Sequence, residues 1–274
     1  MCIPFYADSR ALLAPQVMPP VFDPSQRPNL DLAHLTSVRI NSRPNNFYAA
    51  LAVQQAFRKA ALSNTDTHEV LDCQGLEKPG LRIIFGMQYT PGDMTSVRMN
   101  ILYKEGVRII SIGNSHEYVA HEEGLTARGY ETIEYMAENG MILDLSYAKH
   151  QAARDALHFI QREHLLVKVA ATYTGCYHCK PLSCNLPDDV LRDIADLGGY
   201  VGISFLREHK IDSLCHAMKT VGIDNVGIGI NSPNKELVSI VRKDINSRFS
   251  QITTEGLCGK NFRNFLRRSL PGRA

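Results

Sequence analysis

Short apolar, β-branched runs recur through the last two-thirds of the chain, one every roughly 25–35 residues, the length of a βα unit. They fall at 82–87, 107–112, 141–146, 167–173, 200–205 and 225–230. Runs such as Val107-Arg-Ile-Ile-Ser-Ile112 are almost continuously apolar, which suits strands of a parallel sheet covered on both faces. The segments between them read as amphipathic helices. Thr126 stands where an N-cap belongs, Ile133, Met136 and Ala137 follow helical spacing, and Gly140 supplies a left-handed stop. A second helix begins at Pro187 with Asp188 and Asp189 at the positive end of its dipole. It buries Val190, Leu191, Ile194 and Leu197, and Gly198-Gly199 ends it. Six such strands, with one or two more in the N-terminal third, allow a closed (β/α)8 barrel. An open doubly wound sheet fits the same alternation.

The first 45 residues carry seven prolines, at 4, 15, 19, 20, 24, 28 and 44. Proline removes backbone donors, so residues 1–45 are expected to form an irregular arm on a single domain spanning 1–274. A helix is expected over 49–62, where Leu51, Ala52, Gln55 and Lys59 keep a helical rhythm. The hydrophobic content of 44% suffices for a large core. Thirty basic against 28 acidic residues leave a net charge of +2, which gives no electrostatic reason to expect nucleic acid or a membrane as partner. The N-terminal sequence lacks the basic and apolar regions of a secretory signal, and no apolar run is long enough to cross a bilayer. A cytoplasmic location with seven free thiols is the expectation.

Seven motifs then occur in order. They are Gly106-Val-Arg108, Gly124-Leu-Thr126, Asp144-Leu-Ser-Tyr147, Cys184-Asn-Leu-Pro-Asp-Asp189, Gly198-Gly199, Gly227-Ile-Gly-Ile-Asn231 and Gly259-Lys-Asn-Phe-Arg263. Across roughly residues 80–268 this series resembles the membrane (renal) dipeptidase family, the M19 peptidases. The resemblance implies a metal-dependent-hydrolase-like (β/α)8 barrel, dipeptide hydrolysis at a two-zinc site, and a homodimer. In such a site two metals about 3.5–4 Å apart activate a bridging water and polarise the scissile carbonyl. An arginine holds the dipeptide carboxylate.

Carried across by that resemblance, the family's site positions hold other residues here. The bridging glutamate falls at Gln88, the two strand-end histidines at Tyr147 and Tyr173, and the carboxylate-binding arginine at Cys184. A substrate-facing histidine falls at Asn114 and the last aspartate at Asn231. The first His-x-Asp pair belongs near Val21-Phe-Asp23, with Ser25 and Arg27 at the ligand positions. Amides are poor zinc ligands and phenols are ordinarily protonated near neutrality, so this set does not suit two zincs. The expectation is a dipeptidase-like protein acting as a pseudoenzyme, or as a binding or accessory protein for a small peptide-like or amino-acid-like ligand. The alternative is an active metallohydrolase using one metal or other ligands, with zinc as its cofactor.

Three clusters bear on that alternative. Cys176, His178, Cys179 and Cys184 offer zinc donors, though four within nine residues are crowded, and free thiols in a loop are the plainer reading. Cys184, close before a helix, lacks a partnered base for nucleophilic work. His116, Glu117, His121, Glu122 and Glu123 form an acidic loop whose histidines lie five apart rather than the four of a zincin helix, so a solvated loop or lid is expected. The basic C-terminus (Lys260, Arg263, Arg267, Arg268, Arg273) carries Phe262, Phe265 and Leu266 at helical spacing and reads as a docked terminal helix, not a nucleic-acid patch.

Overall fold

The computed structural model describes residues 4–7, 32–37, 47–63, 66–113, 119–205, 210–230 and 235–272. Its frame is a run of eight parallel strands, each beside the next in space. They are β1 (Pro4–Ala7), β2 (Leu32–Ser37), β4 (Leu81–Met87), β5 (Val107–Ser111), β8 (Ile142–Asp144), β9 (Lys168–Thr174), β10 (Tyr200–Ser204) and β11 (Val226–Gly229). A short β3 (Thr67–Glu69) also pairs with β4. β6 (Ala120–His121) and β7 (Gly124–Leu125) form a separate antiparallel ribbon. The helices are α1 (Phe47–Ala61), α2 (Ser96–Lys104), α3 (Ala127–Glu138), α4 (His150–Arg162), α5 (Asp188–Asp196), α6 (Lys210–Val221), α7 (Lys235–Asn246), α8 (Gln251–Glu255) and α9 (Asn261–Ser269). The strands follow one another in chain order across the sheet, as in a (β/α)8 barrel and unlike a doubly wound sheet, whose order reverses; the strand spacing alone allowed both.

All six strands expected from the apolar runs form, within a few residues of the expected ends. The first 45 residues differ from expectation. Two strands, β1 and β2, lie within the arm read as irregular, and they supply the two N-terminal strands the barrel needs. Pro4 is the first residue of β1, a position where a missing N–H costs least. Leu32–Ser37 runs in register with β4 from Arg82 to Met87, a pairing that local composition does not reveal.

The two faces of the sheet bury different cores. In β4 every residue is buried, with Ile83, Phe85 and Met87 in the larger cluster shared with the helices and Ile84 in a second cluster. That second cluster gathers Ile84, Ile109, Ile142, Ala170 and Tyr200 around Phe262, Phe265 and Leu266 of α9. Tyr200 stacks on Phe265 at 5.9 Å between ring centroids. Ile142 and Tyr200 open their strands, so α9 packs toward the N-terminal end of the sheet, away from the strand ends where barrel sites lie. The docked C-terminal helix expected from sequence is therefore in place.

The ends of α3 behave as their sequence predicts, and the start of α5 differs by one residue. Thr126 Oγ1 accepts from Gly129 N at 3.1 Å and caps α3. Gly140 leaves that helix at φ 65°, where a side chain would be strained. Pro187 occupies the N-cap of α5 rather than its first turn, and Asp188 and Asp189 fill that turn. No helix among the described residues is long and apolar enough to cross a membrane.

Candidate functional site

At the C-terminal ends of the central strands lies a belt of buried hydroxyls around one carboxylate. Asp144, the last residue of β8, accepts four hydrogen bonds. Oδ1 takes those of Ser146 N (3.0 Å), Ser146 Oγ (2.6 Å) and Thr172 N (3.0 Å), and Oδ2 that of Thr172 Oγ1 (2.7 Å). Burial pushes the Asp144 carboxyl above its ordinary range, against the pull of these bonds, which favour the charged form. Ser146 Oγ also accepts from Tyr173 N at 2.8 Å, tying the end of β8 to β9. Ser111 Oγ donates to Ser146 O and accepts from Gly113 N, and Thr90 Oγ1 donates to Ser111 O. The belt thus runs from beyond β4 through β5 and β8 to β9. Gly113 passes so close to the Ser146 carbonyl that a Cβ there would stand 1.8 Å from it.

Of the positions carried across by the family resemblance, two meet directly among the described residues. Tyr147 follows β8 and Tyr173 lies within β9, and their rings stack at 5.9 Å with planes 26° apart. Tyr173 is buried, and Tyr147 is half-buried with a backbone φ of 62°, rare for a bulky residue. Gln88 is buried just beyond β4. Cys184 is half-buried in the β9–α5 connection, with its Sγ 4.0 Å from Asn185 Oδ1. Asn114, Asn231, Ser25, Arg27, His116 and Glu117 lie outside the described residues. His121 Nδ1 lies 2.9 Å from a Glu123 carboxylate oxygen beside the β6–β7 ribbon, and Lys149 pairs with Glu122.

The Cys176–Cys184 cluster does not come together as one donor set. Cys176 is fully buried, and its thiol donates to the Ser213 carbonyl at 3.2 Å. Burial raises its pKa to about 12, far from the thiolate that zinc needs. Among the described residues, one group of three metal-type donors does converge, and it consists of His178, Asp188 and His216. His216 and Asp188 enter it only through the packing of α6 against α5. All six described cysteines are free.

The β9–α5 connection is shaped by Asn185. Its Nδ2 donates to Lys180 O at 2.8 Å, and its carbonyl accepts from His150 Nε2 at 2.8 Å. Beneath this loop lies a cavity of about 300 Å³ lined by Lys180, Asn185, Ser204, Lys210 and Ser213 among others. Ser204, the last residue of β10, is buried, and its hydroxyl has no hydrogen-bond partner among the described residues. Lys210 approaches Asp244 at 3.3 Å and lies over the Phe205 ring. Two ammonium groups and an orphan hydroxyl suit a small anionic, hydrogen-bonding ligand. Neither this pocket nor the hydroxyl belt stood out in the sequence. Its one local signal was Ser or Thr at the ends of otherwise apolar runs.

Comparison with known proteins agrees with this architecture. The dipeptidase tcpJ of Claviceps purpurea is 27% identical over 159 residues, covering 50% of this chain and 36% of that protein. A dipeptidase of Schizosaccharomyces pombe is 29% identical over 121 residues, 39% of this chain and 28% of its own length. The match thus spans about a third of these relatives. A metallopeptidase of Rhodobacter sphaeroides, solved with a phosphinate mimic of L-Ala-D-Ala, superposes with a TM-score of 0.75 over 97% of this chain and 99% of that one, at 15% identity. Residues 97–239, just over half of the chain, match the model of membrane dipeptidase, peptidase family M19, and the chain belongs to that family.

Proposed function

We propose that this barrel has exchanged two-zinc dipeptide hydrolysis for binding, and that it acts as a pseudoenzyme or accessory protein toward a small ligand bearing a carboxylate. The observation that carries this reading is the Tyr147–Tyr173 stack at two positions where the family resemblance puts imidazole ligands. A two-zinc centre needs several imidazole and carboxylate donors converging on one point. The buried side chains here are an amide, Gln88, and a phenol, Tyr173, with a second phenol against it. Asp144 is committed to four hydrogen bonds and has a raised pKa, which also disfavours it as a metal ligand. Among the described residues the donor set does not fit the family's metals.

The pocket gives the ligand class. Lys180 and Lys210 offer charge, Ser204 an unpartnered hydroxyl and Asn185 a rigid edge, in a volume suited to an amino acid or dipeptide. The carboxylate then bonds to ammonium groups, where the family uses a guanidinium.

Calorimetry with free amino acids and a dipeptide panel, run beside a hydrolysis assay in zinc, manganese and cobalt, tests both halves. Binding without turnover is expected, with affinity lowered about tenfold in Lys180→Ala. Turnover that chelation abolishes and zinc restores would refute the reading.

A further inference from the structure

We infer that His178, Asp188 and His216 form a divalent-cation site of the zinc type on the outer helix layer, separate from the strand-end positions where the family's metals belong. The three residues come from distinct places. His178 is exposed on the β9–α5 connection, Asp188 is the first residue of α5, and His216 lies in the middle of α6. Their donor atoms all fall within 4.8 Å of one another. The two imidazoles lie nearly parallel, 5° apart at 4.5 Å between centroids, and His216 Nε2 donates to Asp188 Oδ1 at 2.8 Å.

Two imidazoles and a carboxylate are a frequent three-ligand set for zinc, with bonds of about 2.0–2.2 Å and a fourth position for water. Donors around such an ion stand about 3.3 Å apart by tetrahedral geometry. The His216–Asp188 pair is already closer than that. The remaining closure falls to His178, whose exposed position on a loop lets its ring pivot with little packing to disturb. Arg192 reaches the other Asp188 oxygen at only 4.0 Å, so the contact competing for this carboxylate is long.

On binding, His216 Nε2 would turn from Asp188 to the ion with its proton carried on Nδ1, and because zinc takes only the neutral imidazole, protons compete with it and affinity must fall as pH falls. The ion would pin the β9–α5 connection, which carries Lys180, Cys184 and Asn185, onto α6. Cys179 and Cys215 flank the two histidines in sequence, and substitution tells whether sulfur takes part.

The test uses the full chain, with zinc and cobalt(II) titrated at pH 7 and pH 5. One ion per chain is expected at pH 7, with a metal-dependent rise in Tm and weaker binding at pH 5. His178→Ala and His216→Gln should each weaken binding at least about tenfold and remove the rise in Tm. His178→Ala should keep the metal-free Tm, since that side chain is exposed. A Cys179→Ser/Cys215→Ser variant should bind as before, and the cobalt spectrum should lack thiolate charge-transfer absorption. No binding at about 100 μM metal, unchanged binding in both histidine variants, or loss in the cysteine variant alone would overturn the assignment. None of these readouts depends on whether dipeptides are hydrolysed.

Discussion

Asp144 holds the strand ends together. Its carboxylate satisfies two backbone N–H groups and two hydroxyls on neighbouring strands. Asp144→Ala strands these donors in the interior, at a cost on the order of 3–5 kcal/mol. Asp144→Asn keeps the shape and lets Thr172 turn its hydroxyl to accept, so urea melts should place it well above the alanine variant. The pH dependence has a definite sign. A carboxyl whose folded pKa is raised holds its proton where the unfolded chain, near the ordinary 3.8, has lost it. Its contribution to stability therefore falls as pH rises from there through the raised value. The wild type should lose stability relative to Asp144→Asn over that window. The tyrosine pair divides differently. The left-handed φ of Tyr147 costs about 1–2 kcal/mol and an aromatic stack returns about 0.5–1.5. Tyr147→Gly should thus change stability by less than about 1 kcal/mol, while truncating buried Tyr173 to Ala should cost about 3–5. The residue types at these positions were legible in the sequence. That two of them stack, and that Asp144 knots two strands, depends on strand neighbours that no local pattern names.

Among the elements, α3 and α9 were the most legible and the β9–α5 connection the least. Thr126 and Gly140 bracket α3 because capping chemistry is local, and Thr126→Ala should cost about 1 kcal/mol in a thermal or urea melt. α9 shows its apolar face at helical spacing, and burying Phe265 against Tyr200 makes Phe265→Ala worth about 3–5 kcal/mol. The connection carries Cys-x-x-Cys spacing that suggests a metal loop. The fold sends Cys176 into the core instead and leaves His178 to face α6. Asn185 was visible only as part of a motif. Its side-chain bond to the Lys180 carbonyl explains the motif as a loop brace, so Asn185→Ala, which keeps the backbone bond from His150, should loosen the connection and weaken carboxylate binding in calorimetry while sparing the helices. β2 was missed because a six-residue strand draws its stability from pairing with β4, which local composition does not record.

On the scale of the molecule, the frame is kept where most residues are not. A TM-score of 0.75 at 15% identity means that the fold survives replacement of most residues. Cores tolerate such exchange when volume and pattern are kept, whereas a metal centre fails when single donors change. If the pocket beneath the β9–α5 connection binds carboxylates through its lysines, affinity should fall with rising ionic strength, and a ligand amidated at that carboxylate should bind weakly at any salt concentration. By itself the sequence determined the alternation of strands and helices, the capped ends and the family, because each is written in local spacing or residue identity. Only the tertiary structure decided that the N-terminal arm lends two strands to the sheet, that Tyr147 lies on Tyr173, that Ser204 faces a lysine-lined cavity, and that His178 meets His216 and Asp188. Those facts join residues far apart in the chain, and parallel pairing and helix packing, which no local spacing records, bring them together.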